Sequence, residues 1–194
     1  MDNVAAYFDE KASSWIEMER STRSSVQPAV ALMAGVGKDS RVVDVGCGLG
    51  VMVPVYLDLG VGSVLGVDVS EKMVSLARDR WADYPEVSFQ VVDAAHLDMP
   101  GAFDAVVVYN AYPHIMDRVA FVENVHRLLK PDGRFVVAHG SGKDGINAHH
   151  DAVARGVSLG LSPALDESVV WRSLFEIDAV VDTPRFFAFA GSRR

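Results

Sequence analysis

Short apolar runs alternate with longer mixed segments through the middle of the chain. The run Phe103–Tyr109 consists largely of Ala and Val, as expected of a strand buried on both faces. The predicted strands are Arg41–Val45, Ser63–Val67, Val87–Val92, Phe103–Tyr109 and Arg134–His139. The predicted helices between them are Val51–Leu59, Ser70–Trp81 and Arg118–Leu129, the last of which is ended by Pro131 and the Asp132-Gly133 turn. This alternation predicts an α/β fold with a parallel, doubly wound sheet.

The C-terminal part of the chain departs from this alternation. It predicts a glycine-rich loop at Gly140–Gly145, helices at Asn147–Leu159 and Glu167–Leu174, and strands at Phe175–Asp182 and Arg185–Gly191. Only Thr183 and Pro184 separate the last two strands, and so short a link permits only antiparallel pairing. The complete sheet is therefore predicted to have seven strands, mostly parallel, with an antiparallel hairpin at the end.

The first 35 residues have an amphipathic helical pattern that is predicted to break near Ser21–Ser25. Their apolar stripe includes Tyr7, Phe8, Trp15 and Ile16. Such a stripe packs against the core, covers a ligand ahead of the first strand, or does both. We expect residues 1–35 to be a helical lid segment within one domain of residues 1–194, since this length suits one domain.

Glycine occupies every second position after the first strand, at Gly46, Gly48 and Gly50. Glycine lets the backbone approach a ligand closely, and a helix that follows such a turn offers free N–H groups. The dinucleotide pattern G-x-G-x-x-G does not fit, because Val51 stands where its third glycine belongs. The P-loop does not fit either, because no Lys follows. The remaining interpretations are a G-x-G-x-G ligand turn and a tight turn without a ligand.

The run Val42–Gly50 resembles motif I of the class I S-adenosylmethionine-dependent methyltransferases, and the terminal hairpin is similar to theirs. The stretch Leu129–Arg134 resembles the turn of small-molecule methyltransferases, including the ubiquinone/menaquinone biosynthesis type. The resemblance covers the chain from Val42 to its end. It implies a Rossmann-like fold, S-adenosylmethionine as the cofactor, and these cofactor-binding residues: Asp44, Gly46, Cys47, Gly48, Asp68, Val69, Met73, Asp93, Ala94, Tyr109 and Asn110.

Each acid in this set has a role that the resemblance implies and a simpler alternative. Asp68 would accept hydrogen bonds from the ribose hydroxyls, with Val69 and Met73 packing on adenine, or it would only be a charge at a helix start. Asp93 would accept from the adenine amino group, or it would only form a turn. Asp44 would help to fix the methionine end, or it would be satisfied by the amides of the glycine turn.

Histidines follow the predicted strands at the end where a methyl acceptor would lie. His114 and His139 come after the fourth and fifth strands, and neutral imidazole is a suitable base near neutral pH. We expect one of the two to be catalytic or to bind the acceptor. The loop Ser141–Asn147, with His149 and His150 beyond it, is a candidate acceptor-facing element. The stretch Asn110–Pro113 departs from the Asn-Pro-Pro-Tyr pattern of nucleobase methyltransferases, which favours a small-molecule acceptor.

Composition and charge limit the kinds of partner and the cellular location that we expect for this protein. The formal charge is −8 and Lys/Arg residues form no cluster, so nucleic acid is not an expected partner. The lone cysteine, Cys47, excludes internal disulfides and a multi-cysteine zinc site, and we predict no metal. No apolar run is long enough for a membrane span, and the start Met1–Asn3 lacks a secretory pattern. We therefore expect a cytoplasmic protein whose oligomeric state is open.

The sequence thus predicts methyl transfer from S-adenosylmethionine to an unidentified small molecule. Two alternatives are left. One is a non-catalytic module that binds S-adenosylmethionine or S-adenosylhomocysteine, which a turnover assay distinguishes from an enzyme. The other is a nicotinamide-dependent oxidoreductase, which the position of Gly50 and the terminal hairpin disfavour and which cofactor binding distinguishes.

Overall fold

A computed structural model describes residues 2–21, 26–153 and 156–194 of the chain. Its strands are β1 Arg41–Val45, β2 Ser63–Asp68, β3 Val87–Val91, β4 Phe103–Tyr109, β5 Leu129–His139, β6 Phe175–Thr183 and β7 Phe186–Arg193. They form one seven-stranded sheet in the order β3-β2-β1-β4-β5-β7-β6. The first five strands pair in parallel, and β7 lies antiparallel to both β5 and β6. The predicted fold class and terminal hairpin are confirmed.

Helices lie between and around these strands. They are α1 Asp2–Ser21, α2 Gln27–Met33, α3 Val53–Asp58, α4 Glu71–Arg80, α5 Arg118–Leu128, α6 Lys143–Val153 and α7 Ala164–Glu167. Short 3-10 turns occur at Ala94–His96, Tyr112–His114 and Ser168–Trp171. Within the described ranges, no helix is both long and apolar enough to cross a membrane. The predicted break near residues 21–25 falls mostly at residues 22–25, which are outside the described residues.

The sheet is covered on both faces, which explains why β4 is apolar at consecutive positions. Val106 and Val108 pack in one core layer with Phe121 of α5. Ala105 and Val107 pack in the opposite layer. Successive side chains of a strand point to opposite faces, so both sets are buried only when both faces are covered. The second layer is completed by Val30 and Ala31 of α2 and by Tyr56 of α3.

Several predicted boundaries differ by one or two residues, and three predicted segments differ more. The helix predicted to end at Leu159 ends at Val153. α6 begins at Lys143 and not at Asn147, because Gly145 is accommodated within the helix and Ile146 packs against the core. The helix predicted at Glu167–Leu174 is a short α7 followed by a 3-10 turn. That turn places Trp171 on Phe135, with stacked rings whose centroids are 4.0 Å apart. β5 begins at Leu129, so the predicted Asp132-Gly133 turn is an irregularity within the strand, where Asp132 has a φ of 65°.

Candidate active site

A cavity of about 920 Å³ opens where β1, β2, β4 and β5 end. This is the carboxyl edge of the parallel strands, where ligands bind in open α/β sheets. All but one of the site residues predicted from the sequence line it: Gly46, Cys47, Gly48, Asp68, Val69, Met73, Asp93, Ala94, Tyr109, Asn110, His114 and His139. The exception is Asp44. The fold therefore gathers into one cavity residues that span almost a hundred positions of sequence.

The glycines of the turn after β1 adopt backbone conformations that residues with side chains rarely take. Gly46 has a φ of 65°, and a Cβ there would lie 2.4 Å from the Cβ of Ala111. Gly48 has a φ of 51°. A Cβ placed on Gly48 would have Trp15 Nε1, 4.0 Å away, as its nearest neighbour. The backbone at Gly48 is thus open toward the cavity. The helix predicted from Val51 begins only at Val53, so further turn residues separate the glycines from α3.

Asp68 joins the end of β2 to the glycine turn. Its Oδ2 accepts from the Gly48 N–H at 3.0 Å, and its Oδ1 accepts from the Ser70 N–H at 2.9 Å. Burial raises the pKa of this carboxyl, although the Ser70, Gly48 and Val69 N–H groups act to lower it. Each carboxylate oxygen has a second lone pair for a ligand hydroxyl. The helix start itself is capped by Ser70, whose Oγ accepts from the Met73 N–H at 3.1 Å.

Asp93 and Ala94 lie at the turn after β3. Asp93 Oδ1 accepts from the Ala95 N–H at 2.9 Å, which caps the short 3-10 turn. One oxygen of Asp93 therefore has the turn-forming role that was the simpler alternative. Its Oδ2 lies 3.5 Å from His96 Nδ1 at the edge of the cavity. The adenine contact stays a prediction.

Asp44 does not line the cavity, in contrast to the prediction. It lies on the same face of β1 as Val42, toward Tyr56 of α3, because residues two apart on a strand share a face. Its side chain is buried, and its Oδ2 has no hydrogen-bond partner among the described residues. Burial, and secondarily the charge of Asp68, raise the pKa of Asp44 to about 8, while the Tyr56 hydroxyl acts to lower it. The glycine-turn amides do not satisfy that oxygen either.

Three histidines line the cavity close to one another, on the side formed by the ends of β4 and β5 and by α6. The Nδ1 of His114 lies 2.7 Å from the Val157 carbonyl oxygen. A carbonyl only accepts, so Nδ1 carries the proton and Nε2 presents a lone pair whenever His114 is neutral. Burial lowers the pKa of His114, which favours that neutral form. The Val157 carbonyl is a partner that the sequence does not reveal, because a main-chain oxygen carries no side-chain signal.

His139 and His150 lie close to His114. Burial, and then the charges of His114 and His150, lower the pKa of His139 to about 3. Its Nε2 is buried and has no hydrogen-bond partner among the described residues. The rings of His114 and His150 have centroids 4.8 Å apart. Three imidazoles thus lie together in neutral form at the acceptor end.

Helix α1 covers this cavity from outside. Its residues Val4, Phe8 and Trp15 line the cavity, and the Phe8 ring packs edge-on against His114 at 4.9 Å. Asp9 ties the helix down, since its Oδ1 accepts from the Ser70 hydroxyl at 2.6 Å. Phe8 and Trp15 of the predicted stripe therefore face the cavity, whereas Tyr7 does not line it and the side chain of Ile16 lies outside the described residues. The Asp9 contact has no signal in the sequence.

Much of the remaining wall is apolar and includes Ile115, Met116, Phe121 and Ile146, although Asp117 and Ser141 also line the cavity. No Lys or Arg of the described ranges lines it. The same ranges contain no group of three or more His, Cys, Asp or Glu residues that could hold a metal ion. The acceptor end therefore combines apolar surface with uncharged imidazole edges.

Comparison with known proteins agrees with this arrangement. Residues 43–137 match a family model described as a methyltransferase domain. The chain is 35% identical over 107 residues to the 2-methyl-6-phytyl-1,4-hydroquinone methyltransferase of Synechocystis, covering 54% of this chain and 33% of that protein. It is 34% identical over 98 residues to the ubiquinone biosynthesis O-methyltransferase of Neisseria meningitidis serogroup A, covering 48% and 41%. The chain thus spans less than half the length of either relative.

Solved structures share the fold over more of the chain. A SAM-dependent methyltransferase from Aquifex aeolicus superposes with a TM-score of 0.77 at 15% identity, covering 96% of this chain and 98% of that one. An S-adenosylmethionine-dependent methyltransferase from Mesorhizobium loti gives 0.71 at 23% identity, covering 86% and 96%. At these identities the likeness shows the fold. Residues 43–137, which hold the glycine turn and the parallel strands, thus match a methyltransferase domain, and the whole chain has the fold of these S-adenosylmethionine-dependent methyltransferases.

Proposed function

We propose that this protein transfers a methyl group from S-adenosylmethionine to a hydroxyl group of a small, uncharged and largely apolar molecule. The observation that carries the proposal is the continuity of the cavity. It joins the glycine turn and Asp68 at one end to the neutral His114 and an apolar wall at the other. A cofactor end and an acceptor end in one cavity are what a direct transfer requires.

The residues present fit the cofactor. Gly46 and Gly48 leave the backbone uncovered, and Asp68 retains lone pairs for the ribose hydroxyls. Val69 and Met73 would pack on the adenine ring, and Asp93 with Ala94, Tyr109 and Asn110 would complete the contacts. When bound, S-adenosylmethionine supplies a methyl group on a positively charged sulfur, which leaves with the bonding electron pair.

The protein's own contribution is orientation and acceptance of a proton. His114 Nε2 can take up the proton that a hydroxyl loses as its oxygen is methylated, and solvent removes that proton afterwards. Phe8 and Trp15, as parts of a lid, would exclude water from the cavity. Holding an acceptor in line can lower a barrier by on the order of 7–11 kcal/mol. His139 is enclosed and uncharged, which suits a role in shaping the pocket.

The acceptor class follows from the lining and is in keeping with the relatives. An apolar wall without Lys or Arg disfavours phosphorylated and carboxylated acceptors. The relatives named above are a hydroquinone methyltransferase and a ubiquinone biosynthesis O-methyltransferase. A hydroxylated ring of low charge is therefore the acceptor that we propose for this chain.

The first test is calorimetric titration with S-adenosylmethionine and S-adenosylhomocysteine. We expect micromolar binding by the wild-type protein and a loss of at least about tenfold in Asp68→Ala, which corresponds to about 1.4 kcal/mol. Asp98→Ala is the matched control, because this exposed acid pairs only with Arg127 on the surface among the described residues. Absence of binding by folded wild-type protein would overturn the proposal.

The second test is turnover. Wild-type protein is incubated with S-adenosylmethionine and a panel of hydroxylated aromatic compounds, and S-adenosylhomocysteine release is followed. Product with an uncharged member of the panel supports methyl transfer. Tight cofactor binding with no transfer to any member would favour the non-catalytic binding module.

A further inference from the structure

Residues 157–162 form a strap that passes beside the acceptor end of the cavity and is held along its length. The Leu159 N–H donates to the Pro113 carbonyl at 2.8 Å. Arg118 donates to the Gly160 carbonyl at 2.8 Å. The Asn147 amide both donates to and accepts from the backbone of Leu161, at 2.9 and 2.8 Å. A segment held at successive residues by several elements presents its other groups in defined positions.

Two groups of this strap hold the rings of His114 and His150. The Val157 carbonyl accepts from His114 Nδ1, which leaves a lone pair on His114 Nε2. The Ser158 hydroxyl lies 2.7 Å from His150 Nδ1, and its oxygen already accepts from the Gly160 N–H at 3.1 Å. Each histidine therefore has one nitrogen committed to the strap and the other left for the cavity.

The Ser158 contact favours one tautomer of His150, because the Ser158 oxygen already accepts a hydrogen bond and its proton needs an acceptor. Among the described residues, His150 Nδ1 is the one acceptor within hydrogen-bond distance of the Ser158 hydroxyl proton. If Nδ1 accepts that proton, the neutral ring carries its own proton on Nε2. His150 then presents an N–H donor, whereas His114 presents an acceptor.

Both rings are held uncharged. Burial is the main cause that lowers the pKa of His114, and the Val157 carbonyl acts against it. Burial also lowers the pKa of His150 to about 4, followed by the charges of His114 and His149, while Asp151 acts in the opposite direction. An uncharged donor and an uncharged acceptor are thus both available at neutral pH.

The two rings lie next to each other without using each other as partners. Their centroids are 4.8 Å apart with a tilt of 51°, and no hydrogen bond joins them. Both line the cavity. The acceptor nitrogen of one ring and the donor nitrogen of the other are therefore available to two atoms of a single bound molecule.

We propose that His114 and His150 together select acceptors that carry two oxygen atoms on neighbouring carbons. The hydroxyl to be methylated donates to His114 Nε2, and the second oxygen accepts from His150 Nε2–H. This inference rests on the proposed function and adds His150 as a specificity-determining residue and Ser158 as its positioning residue. The substrate class is a vicinal diol on a ring, or a ring hydroxyl beside a carbonyl.

The tautomers are measured directly by long-range proton–nitrogen correlation spectra of protein labelled with ¹⁵N-histidine and saturated with S-adenosylhomocysteine. His114→Gln and His150→Gln identify the signals of each ring. We expect a proton on Nδ1 of His114 and on Nε2 of His150. A His150 ring with its proton on Nδ1 would overturn the inference.

Binding of matched probes tests the selection without turnover. Protein saturated with S-adenosylhomocysteine is titrated under nitrogen with 4-tert-butylcatechol and with 4-tert-butylphenol, which lacks the second oxygen. We expect the wild-type protein to prefer the catechol about tenfold, equivalent to about 1.4 kcal/mol and to the size of one hydrogen bond. His150→Phe should bind both probes about equally, and His126→Gln, which changes a histidine away from the cavity, should keep the preference.

Further variants and controls distinguish a failure of this inference from a failure of the proposed function. Ser158→Ala leaves the His150 ring in place, so it should weaken the preference even where His150→Phe does not fold. An equal affinity of the wild-type protein for both probes, or a preference unchanged in both the His150 and Ser158 variants, would overturn the inference alone. Failure of wild-type protein to bind S-adenosylhomocysteine would instead overturn the proposed function.

Discussion

Asp9 of α1 and Ser70 at the start of α4 are joined by a hydrogen bond of 2.6 Å between Oδ1 and the hydroxyl. The same Asp9 oxygen accepts from the Lys72 N–H at 3.1 Å. Ser70 in turn donates its N–H to Asp68 in the cavity. The covering helix is thus connected, through one serine, to the acid proposed to hold the ribose.

Loss of this connection should loosen α1 over the cavity. We expect Asp9→Ala to weaken S-adenosylhomocysteine binding by about threefold to tenfold, because one hydrogen bond of this kind contributes about 0.5–1.5 kcal/mol. Hydrogen exchange should rise across α1 and stay unchanged in β4. Calorimetry and exchange by mass spectrometry check the two effects.

The Glu10→Ala variant is the control for Asp9→Ala. Glu10 is exposed, and its replacement removes the same negative charge from α1. The pKa of Asp9 is lowered, first by the Ser70 hydroxyl and then by the Lys72 N–H. The contribution of this contact is therefore present above the ordinary carboxyl pKa and lost as pH falls through the lowered value. Equal binding by both variants and the wild-type protein would contradict a lid role.

Replacement of His114 should affect chemistry more than cofactor binding. We expect His114→Gln to lower kcat by about 10²–10⁴-fold, the range for loss of a general base, with little change in the Kd for S-adenosylhomocysteine. The pKa of His114 is lowered, chiefly by burial, so the neutral base persists below pH 6.5. The acidic limb of the wild-type rate profile should therefore lie below that pH.

A distant histidine controls for the substitution itself. His126 packs against Phe175, away from the cavity, and His126→Gln should retain both rate and profile. An acidic limb in the wild-type profile that persists unchanged in His114→Gln would show that another group titrates.

The buried carboxyl of Asp44 should make the protein less stable as pH rises. Its folded-state pKa of about 8 lies above the ordinary value of 3.8, so the unfolded chain ionises first. Its contribution to stability is full below about pH 4 and is lost as pH rises through about 8. We expect the Tm of Asp44→Asn minus the wild-type Tm to increase by on the order of 5–10 °C as the pH is raised from 5 to 8.

Asp104 gives the opposite sign and serves as the comparison for Asp44. Partial burial acts to raise its pKa, but the Lys130 ammonium and the Arg41 N–H bring the pKa below the ordinary value. The contribution of Asp104 to the stability of the fold is therefore present above the ordinary carboxyl pKa and is lost as the pH falls through the lowered pKa. A Tm difference for Asp44→Asn that does not change with pH would refute the account of Asp44.

The ion pair of Arg118 and Glu167 supports the strap and should be costly to break. Glu167 is buried, Arg118 is largely buried, and Arg118 also lies over the Tyr112 ring at 4.6 Å. We expect Glu167→Ala to lower the free energy of unfolding by about 3–5 kcal/mol, because it leaves a buried charge without its partner. Asp98→Ala breaks an exposed pair and should cost about 0–1 kcal/mol in the same denaturant titration.

The sheet could be predicted because its signal is local. Continuous apolar residues in β4, the Thr183-Pro184 link and the glycines after β1 each restrict their own segment to one conformation. Boundaries near residues 140–171 could not be predicted in this way. Gly145 was interpreted as part of a loop, but the packing of Ile146 continues a helix through it, and the position of Trp171 depends on its stacking with Phe135.

The residues of the candidate site can likewise be separated into those that local sequence predicts and those that depend on tertiary contacts. Residues such as Asp68 and His114 can be predicted because each lies at, or within a few residues of, the end of a strand that must face the ligand edge. Asp44 follows the same logic and is wrong as a lining residue, because a strand's alternation turns it toward Tyr56. Asp9 and Val157 cannot be predicted from local sequence, since their partners Ser70 and His114 lie more than forty positions away. Ser158 is only eight positions from His150, but it lies beyond the end of α6 in a segment without the periodicity that would place the two side chains together.

By itself, the sequence determined the order of strands and helices, the glycine turn and the resemblance to methyltransferases, because these depend on periodicity and on residues close along the chain. The tertiary structure alone decided which imidazole nitrogen of His114 and His150 contacts residues 157–158, that Asp44 is enclosed, and that α1 is joined to the start of α4. Those properties depend on burial and on hydrogen bonds between distant segments, which exist only once the chain has folded.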